Sequence, residues 1–387
     1  MNDKKTQERE YTIFWLVGES SGDLHAALVM KSLNLAMPNL KHVGIGGPKM
    51  QQQGLKPLFP FQRFAVMGFV EVIAHLFFFL KVQNRIRRLF AKHKPDLAIL
   101  VDYPGLNMRI AHMADEYRIA VLYFICPQFW AWKHERVHKL RASTRHVACI
   151  LPFEKELLDI HNVSSSYVGH PIAEEVNIEL DREAFARFYK LDPHKKWIGY
   201  FPGSRDKEVE TMLPIFLKAA AMWDSAKYEM LFSKSRSVTH ATYMSLLNSN
   251  GKPHIKLVDG NTYEMMKYCE VLVCTSGTVT LEAAYIGTPS VICYKASPLS
   301  YLIGKQFIRI KRIGLPNIVL DQDLLPEIIQ NDLTPEMIHS KAESILNDAA
   351  YNQYIRAELG KLQAMLSDKK PSDELPRIVQ EMLSLYA

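Results

Sequence analysis

The chain has few cysteines, and their spacing excludes two classes of protein. The five cysteines among 387 residues include no Cys-x-x-Cys pair, and four of them lie in apolar runs. This argues against a structural zinc site and against a disulfide-stabilised extracellular fold. We expect reduced, mostly buried thiols at Cys126, Cys149, Cys269, Cys274 and Cys293.

Long apolar segments are also absent. No stretch reaches the roughly 20 apolar residues that a membrane-spanning helix needs. The first ten residues are polar and charged, without the apolar centre of a secretory signal, so we expect a cytoplasmic protein with a disordered amino-terminal tail. The formal net charge of +6 suits an anionic ligand or membrane surface, and is too diffuse to indicate nucleic acid.

The apolar runs that are present alternate with helical patterns. A chain of 387 residues exceeds one ordinary core, so two domains are predicted. Runs at 96–101, 120–125 and 147–151 are typical of parallel strands buried on both faces, and the alternation restarts after a charged segment at 173–194. We predict two Rossmann-like, doubly wound α/β domains at 11–172 and 195–350 that face each other across a cleft, with 173–194 as a linker and helices at 351–387.

The first strand lacks a dinucleotide-binding turn. It leads into Gly18-Glu-Ser-Ser-Gly-Asp23, which does not have the three-glycine spacing of that turn. This makes an NAD-dependent oxidoreductase a weak alternative.

Two strand–loop–helix turns in the second half predict an anion site. Pro202-Gly-Ser-Arg205 precedes a helical pattern, and Gly203 permits the turn between strand and helix. Ser204 and the amides at the start of the helix can face a phosphate. The planar guanidinium of Arg205 can bind two phosphate oxygens. Cys274-Thr-Ser-Gly-Thr278 opens a second helix, with Glu282 on its first turns. Either turn alone could be structural, but together they favour a nucleotide diphosphate held between them.

The segment 64–80 is unusually aromatic and is followed by basic residues. An apolar face at helical spacing beside a basic cluster suits a helix lying in a membrane interface. A core helix with a solvated basic end fits the same pattern. The apolar face contains Phe69, Val70, Ile73, Phe77 and Leu80, and the basic residues are Lys81, Arg85, Arg87 and Arg88.

The ordered set of motifs closely resembles lipid-A-disaccharide synthases. The motifs include Gly18–Leu24, Gly44-Ile-Gly-Gly-Pro-Lys-Met50, Met67-Gly-Phe-Val-Glu-Val72, Val101-Asp-Tyr-Pro-Gly-Leu-Asn107, Pro127-Gln-Phe-Trp-Ala-Trp132, Leu151-Pro-Phe-Glu154, Val168-Gly-His-Pro171, Pro202–Arg205, Ser276–Ala283 and Leu315-Pro-Asn317. Cys126 and Ser20 depart from the residues usual in that family, and neither change removes a group that the chemistry needs.

The resemblance implies a glycosyltransferase-B fold and a hexosyltransferase that inverts the anomeric carbon. Its donor would be UDP-2,3-diacylglucosamine, its acceptor 2,3-diacylglucosamine 1-phosphate, and its products a β-1,6-linked disaccharide 1-phosphate and UDP. We therefore expect no cofactor, no metal and no nucleic acid partner. The family implies a peripheral enzyme on the cytoplasmic face of the inner membrane, and a homodimer that can exchange its C-terminal helices instead of packing them on the N-terminal domain. Acyl substrates favour the interfacial interpretation of 64–80.

The resemblance also suggests residue roles. Asp102 would be the base, Glu19 an assistant or alternative base, and Arg205 would neutralise the leaving UDP. The residues expected to bind UDP are Gly203, Ser204, Arg205, Ser276, Gly277, Thr278, Glu282 and Asn317. Asn107 would shape the Asp102 loop, His170 would pack or act as a hinge, and at least one of Trp130 and Trp132 would lie in the core.

Two rival functions share these features. A nucleotide-sugar epimerase would use a UDP cleft and carboxylates, but it would not need an exposed apolar helix. A non-catalytic nucleotide-binding module would tolerate loss of Asp102.

Overall fold

The computed structural model describes residues 9–65, 76–235, 237–250, 254–296 and 311–386. The chain forms two compact units, called domain 1 and domain 2 below. Domain 1 comprises Met1–Pro171 and Asp368–Ala387, and domain 2 comprises Ile172–Ser367.

Domain 1 is an α/β domain with a parallel sheet. Its strands are β1 (Tyr11–Val17), β2 (Leu40–Ile45), β3 (Lys56–Pro57), β4 (Leu97–Val101), β5 (Ala120–Phe124), β6 (His146–Cys149) and β7 (Ser165–Tyr167). Its helices before domain 2 are α1 (Ser20–Ala36), α2 (Pro48–Gln52), α3 (Gln62–Ala65), α4 (Leu76–His93), α5 (Pro104–Glu116), α6 (Arg136–Ser143) and α7 (Pro152–Ile160). The strand order is β3-β2-β1-β4-β5-β6-β7.

Domain 2 repeats this architecture. Its strands are β8 (Lys196–Phe201), β9 (Tyr228–Lys234), β10 (Lys256–Asp259), β11 (Val271–Thr275), β12 (Ser290–Tyr294) and β13 (Glu327–Ile329), in the order β10-β9-β8-β11-β12-β13. Its described helices are α8 (Ile172–Glu175), α9 (Arg182–Tyr189), α10 (Asp206–Ala220), α11 (His240–Ser249), α12 (Thr262–Tyr268), α13 (Thr278–Ile286), α14 (Leu315–Leu320), α15 (Pro335–Asn347) and α16 (Ala349–Ser367), with a 3-10 turn at Gln330–Asp332.

The segment 173–194 belongs to domain 2, and the C-terminal helices are divided between the two domains. The segment carries α8 and α9, and Phe185 on α9 is fully buried in the core of domain 2. The final helix, α17 (Pro371–Tyr386), belongs to domain 1, where Val379 and Leu383 pack in the same core as α1. None of the described helices has both the length and the apolar character needed to cross a bilayer.

The sheet of domain 1 is buried on both faces. Along β1, Phe14 and Leu16 enter one core, while Ile13, Trp15 and Val17 enter the other. Alternate side chains of a strand point to opposite faces, so a strand covered on both sides must be apolar throughout. All five cysteines are buried and unpaired.

Each sheet has one place where the strand order reverses. The order runs outward from β1 to β2 and β3 in one direction and from β4 to β7 in the other, and β8 and β11 form the corresponding pair in domain 2. Open α/β sheets bind ligands outside the carboxyl ends of the strands at such points. The turns after β1, β4, β8 and β11 are therefore where functional groups are expected.

Candidate active site

Asp102 lies in a strained turn immediately after β4. Asp102 and Tyr103 have φ angles of 46° and 47°, in the left-handed region that non-glycine residues rarely adopt. Each such residue costs on the order of 1 kcal/mol or more, so neighbouring contacts must hold the turn.

Two buried side chains hold this turn through its carbonyl groups. The Tyr123 hydroxyl donates a hydrogen bond of 2.8 Å to the Asp102 carbonyl oxygen. The Asn107 amide donates to the same oxygen and, over 3.0 Å, to the carbonyl oxygen of Val101. These contacts fix where the Asp102 side chain leaves the backbone, in agreement with the loop-shaping role expected for Asn107.

The Asp102 turn packs against Gly18, which directly follows β1. A Cβ atom at Gly18 would lie 2.4 Å from Cγ of Tyr103, so the ring of Tyr103 rests directly on the glycine backbone. Because β1 and β4 pair as neighbours, the turn that carries Glu19 lies beside the turn that carries Asp102. Glu19 is exposed and stands at the N-terminal boundary of α1.

Burial and charge raise the proton affinity of Asp102. Desolvation and, second, the carboxylate of Glu19 raise the pKa of Asp102 to about 6; the Tyr103 amide, His25 and Arg136 act in the opposite direction. A carboxylate with a pKa near the working pH can take a proton from a hydroxyl and release it again. The arrangement therefore fits a general base.

Several neighbours of Asp102 were not singled out from the sequence. His25 lies on α1, Tyr123 on β5 and Arg136 on α6, so no sequence spacing links them to β4. The fold brings α1, β4, β5 and α6 together. A sequence motif would have to span all four of these elements to predict the three neighbours of Asp102.

Glu154 is a buried carboxylate in the same domain. It accepts hydrogen bonds from Trp130 Nε1 at 3.1 Å and from the Leu151 amide at 3.2 Å. Burial raises the pKa of Glu154 to about 7. Trp130 packs against the core of domain 1, whereas the side chain of Trp132 is 41% exposed.

His170 is a buried imidazole at the end of domain 1. Desolvation, with a smaller contribution from His25, lowers the pKa of His170 to about 3, so the ring is neutral near pH 7. A buried, neutral imidazole fits a packing role for His170 better than a role in proton transfer.

In domain 2 the turn after β8 already holds a carboxylate. The backbone amides of Ser204 and Arg205 donate to Oε2 of Glu208 at 3.0 and 3.3 Å, and the Arg205 guanidinium donates to Oε1 at 3.3 Å. Gly203 has φ of 119° and its Cα faces Glu208 so closely that a Cβ would lie 2.7 Å from Cβ of Glu208. These donors thus converge on an anion.

The second predicted turn lies beside the first. Cys274 of β11 pairs with Phe201 of β8, so the turns that follow both strands share one edge of the sheet. Gly277 and Thr278 are exposed there, while the hydroxyl of Ser276 donates to the carbonyl oxygen of Ile313 at 3.1 Å. The topology therefore brings the two anion-binding sequences together within domain 2.

Glu282 and Asn317 have different environments. Glu282 is partly exposed on α13. Asn317 is buried; its amide donates to the Leu325 carbonyl and to Oε1 of Glu327, and accepts from the Leu325 amide, all at 2.8–2.9 Å. These bonds tie α14 to the approach of β13.

Comparison with known proteins gives consistent results along the chain. The family model described as lipid-A-disaccharide synthetase matches residues 13–375. The lipid-A-disaccharide synthase of Geobacter sulfurreducens is 36% identical over 381 residues, covering 98% of this chain and 99% of that protein.

The chain belongs to the lipid-A-disaccharide synthetase family.

A more distant member of the family has similar coverage. The lipid-A-disaccharide synthase of Coxiella burnetii is 32% identical over 372 residues, covering 96% of this chain and 98% of its own length. The resemblance predicted from the motifs is confirmed.

Solved structures confirm the predicted glycosyltransferase-B fold. A calicheamicin glycosyltransferase superposes with a TM-score of 0.60 at 12% identity, covering 97% of this chain and 99% of the other. The UDP-GlcNAc 2-epimerase from Neisseria meningitidis bound to UDP-GlcNAc also gives 0.60, at 11% identity and the same coverage. At these identities the similarity establishes the fold alone.

In this family member, the described start of α4 exposes apolar and basic side chains together. Phe77 is 82% exposed and Leu80 is 46% exposed, whereas Val82 and Ile86 are buried in domain 1. The four basic residues predicted for this surface, Lys81, Arg85, Arg87 and Arg88, are all exposed on this helix. The predicted apolar residues Phe69, Val70 and Ile73 lie outside the described residues.

Proposed function

We propose that the chain is an inverting hexosyltransferase of lipid A biosynthesis. It transfers 2,3-diacylglucosamine from UDP-2,3-diacylglucosamine to 2,3-diacylglucosamine 1-phosphate. Family membership supports the reaction, and one structural observation carries the mechanism: Asp102 stands at the reversal point of the domain 1 sheet with its pKa raised to about 6.

Asp102 acts as the base in this proposal. The 6-hydroxyl oxygen of the acceptor attacks the anomeric carbon of the donor while its proton passes to the Asp102 carboxylate. The bond between the anomeric carbon and the diphosphate oxygen breaks, and its electron pair leaves with UDP. Attack opposite the leaving group inverts the configuration. Glu19 assists by raising the proton affinity of Asp102.

Domain 2 binds the UDP part of the donor. The Ser204 and Arg205 amides already bind the Glu208 carboxylate, which supports their binding a diphosphate oxygen. The side chain of Arg205 is 76% exposed and can neutralise charge that develops on the leaving group. Gly203 shapes this turn.

The neighbouring turn completes the proposed UDP site. Ser276, Gly277 and Thr278 line the diphosphate, and Glu282 accepts hydrogen bonds from the ribose hydroxyls. For Asn317 we propose a supporting role, because its amide is already bonded within the fold. The proposed reaction uses no cofactor or metal, so we expect activity to persist in EDTA.

The proposal is tested by a transfer assay in detergent micelles. Wild type is expected to convert the two substrates to disaccharide and UDP, and Asp102→Asn to lose about 100-fold or more of kcat. Asp115→Asn, which changes a surface carboxylate of α5, is the matched control. Equal rates for Asp102→Asn and wild type would exclude Asp102 as the base and make Glu19 the next candidate. Absence of product from folded, UDP-binding wild type would contradict the function.

A membrane-facing surface on α4 is a second part of the proposal. Phe77 and Leu80 would enter the interface of the inner membrane on its cytoplasmic face, with Lys81, Arg85 and Arg88 against anionic headgroups. Sedimentation with phosphatidylglycerol vesicles tests this: Phe77→Ser/Leu80→Ser should bind more weakly than wild type. Leu35→Ser, at an exposed leucine of α1, is the control.

We also propose that the protein forms a homodimer. Analytical ultracentrifugation tests this, and a mass equal to that of one chain would contradict it.

A further inference from the structure

Two cationic side chains, Arg136 and Lys133, lie over the ring of the exposed Trp132 in domain 1. The Arg136 guanidinium carbon lies 4.5 Å from the centre of the Trp132 ring, and Lys133 Nζ lies 4.6 Å from the same centre. The Lys133 carbonyl accepts a 3.0 Å hydrogen bond from the Arg136 amide, so the two residues are fixed in one turn. The mechanism proposed above uses neither cation.

Arg136 is half-buried without a close counter-ion. In the described part of the chain Arg136 makes no ion pair with a carboxylate; the Tyr123 hydroxyl and the Asp102 carboxylate act on its charge without forming one. Removing a guanidinium from water is unfavourable unless an anion compensates for the lost hydration. The surroundings of Arg136 therefore favour binding of an anion from outside the protein.

The chemistry of the acceptor supplies such an anion beside the base. In a glucosamine ring, C1 and C5 are both bonded to the ring oxygen, so a phosphate on C1 and the 6-hydroxyl on C6 lie on either side of that oxygen at the same end of the sugar. A cation near Asp102 is thus placed for the phosphate of a sugar whose 6-hydroxyl is at Asp102. A guanidinium also offers the planar fork that matches two phosphate oxygens.

We propose that Arg136, supported by Lys133, binds the 1-phosphate of the acceptor and so selects a phosphorylated acceptor. This inference rests on the proposed function and deepens it, because it assigns the acceptor end of the reaction to named residues. Trp132 holds the two cations in place through its ring face.

The test compares two acceptors in phospholipid-free detergent micelles. One is 2,3-diacylglucosamine 1-phosphate, and the other is the same lipid with a 1-O-methyl group in place of phosphate. With the phosphorylated acceptor, Arg136→Gln is expected to lower kcat/KM by about 10- to 100-fold, mainly through the acceptor KM. With the 1-O-methyl acceptor the loss should stay below about threefold, and the donor KM should not change. Arg136→Lys should retain part of the preference, since it keeps the charge without the fork.

Arg141→Gln is the matched control, because Arg141 is an exposed arginine on the same helix. It should behave as wild type. Each variant is checked for folding by its melting temperature and by UDP binding. If Arg136→Gln does not fold, Arg136→Lys and Lys133→Gln carry the test, with the same dependence on the acceptor phosphate.

Several outcomes would overturn the inference. Equal losses on both acceptors, with a displaced acidic limb of the pH profile, would mean that Arg136 acts on Asp102 instead. An effect that appears only after phosphatidylglycerol is added would assign the cations to a lipid headgroup. Wild type that uses both acceptors equally would refute the phosphate site and leave the proposed transfer intact, whereas no product from either acceptor would refute the proposed function itself.

Discussion

Replacing Asp102 by asparagine should remove activity and, above pH 6, make the protein more stable. The pKa of Asp102 rises from 3.8 to about 6 in the folded protein. Between these values the folded state binds the proton more tightly than the unfolded state, so stability falls as the pH rises, and the full penalty is present above about pH 6.

The magnitude follows from the size of the pKa rise. One pKa unit corresponds to about 1.4 kcal/mol, which gives an upper limit of about 3 kcal/mol for ionising Asp102 in the folded state. Because Asp102 is partly accessible to solvent, we expect a measured gain of about 1–2 kcal/mol for the asparagine variant at pH 8. For a domain of this size class, each kcal/mol moves the melting temperature by about 2–4 °C. Roughly half of the difference should remain at pH 5.

Thermal melting at pH 5 and pH 8 checks this, with wild type, Asp102→Asn and the surface control Asp115→Asn measured side by side. In the transfer assay, wild-type kcat/KM should fall about tenfold per pH unit below pH 6, because only the ionised carboxylate accepts the proton. An asparagine variant that is less stable than wild type at pH 8 would refute the reasoning. So would a stability difference that does not change with pH, since the carboxylate would then be held by favourable contacts instead of penalised by burial.

Two further substitutions test how the Asp102 turn is held. Gly18→Ala places a methyl group where the Tyr103 ring lies, so it should lower the melting temperature and kcat, while Gly105→Ala, whose added Cβ meets no atom within 4 Å, should do neither. Tyr123→Phe removes one of the hydrogen bonds to the Asp102 carbonyl, and should lower kcat by about tenfold without changing UDP affinity by calorimetry; an unchanged kcat would show that the second hydrogen bond holds the turn alone.

The candidate site was only partly accessible from the sequence. Asp102 and Arg205 could be named because each follows an apolar strand, and strand ends are where parallel sheets carry their functional groups. Arg136 was not predicted, since it is 34 positions beyond Asp102 and lies outside the motif Pro127–Trp132 that precedes it. For Asn317 the motif predicted contact with UDP, which stays a prediction; the structure adds that its amide is buried and bonded to Leu325 and Glu327, which its motif did not indicate.

The class of domain, the number of domains and the family could all be predicted from local sequence patterns. Local patterns are enough for these properties, because a strand covered on both faces must be apolar and because a set of ordered motifs is specific to a family. The pairing of β1 with β4 is a property of the folded chain; it places Glu19 beside Asp102, where the charge of Glu19 adds to the effect of burial in raising the pKa of Asp102. Proton affinity depends on burial and on charges brought from distant parts of the chain, and neither is a local property of the sequence.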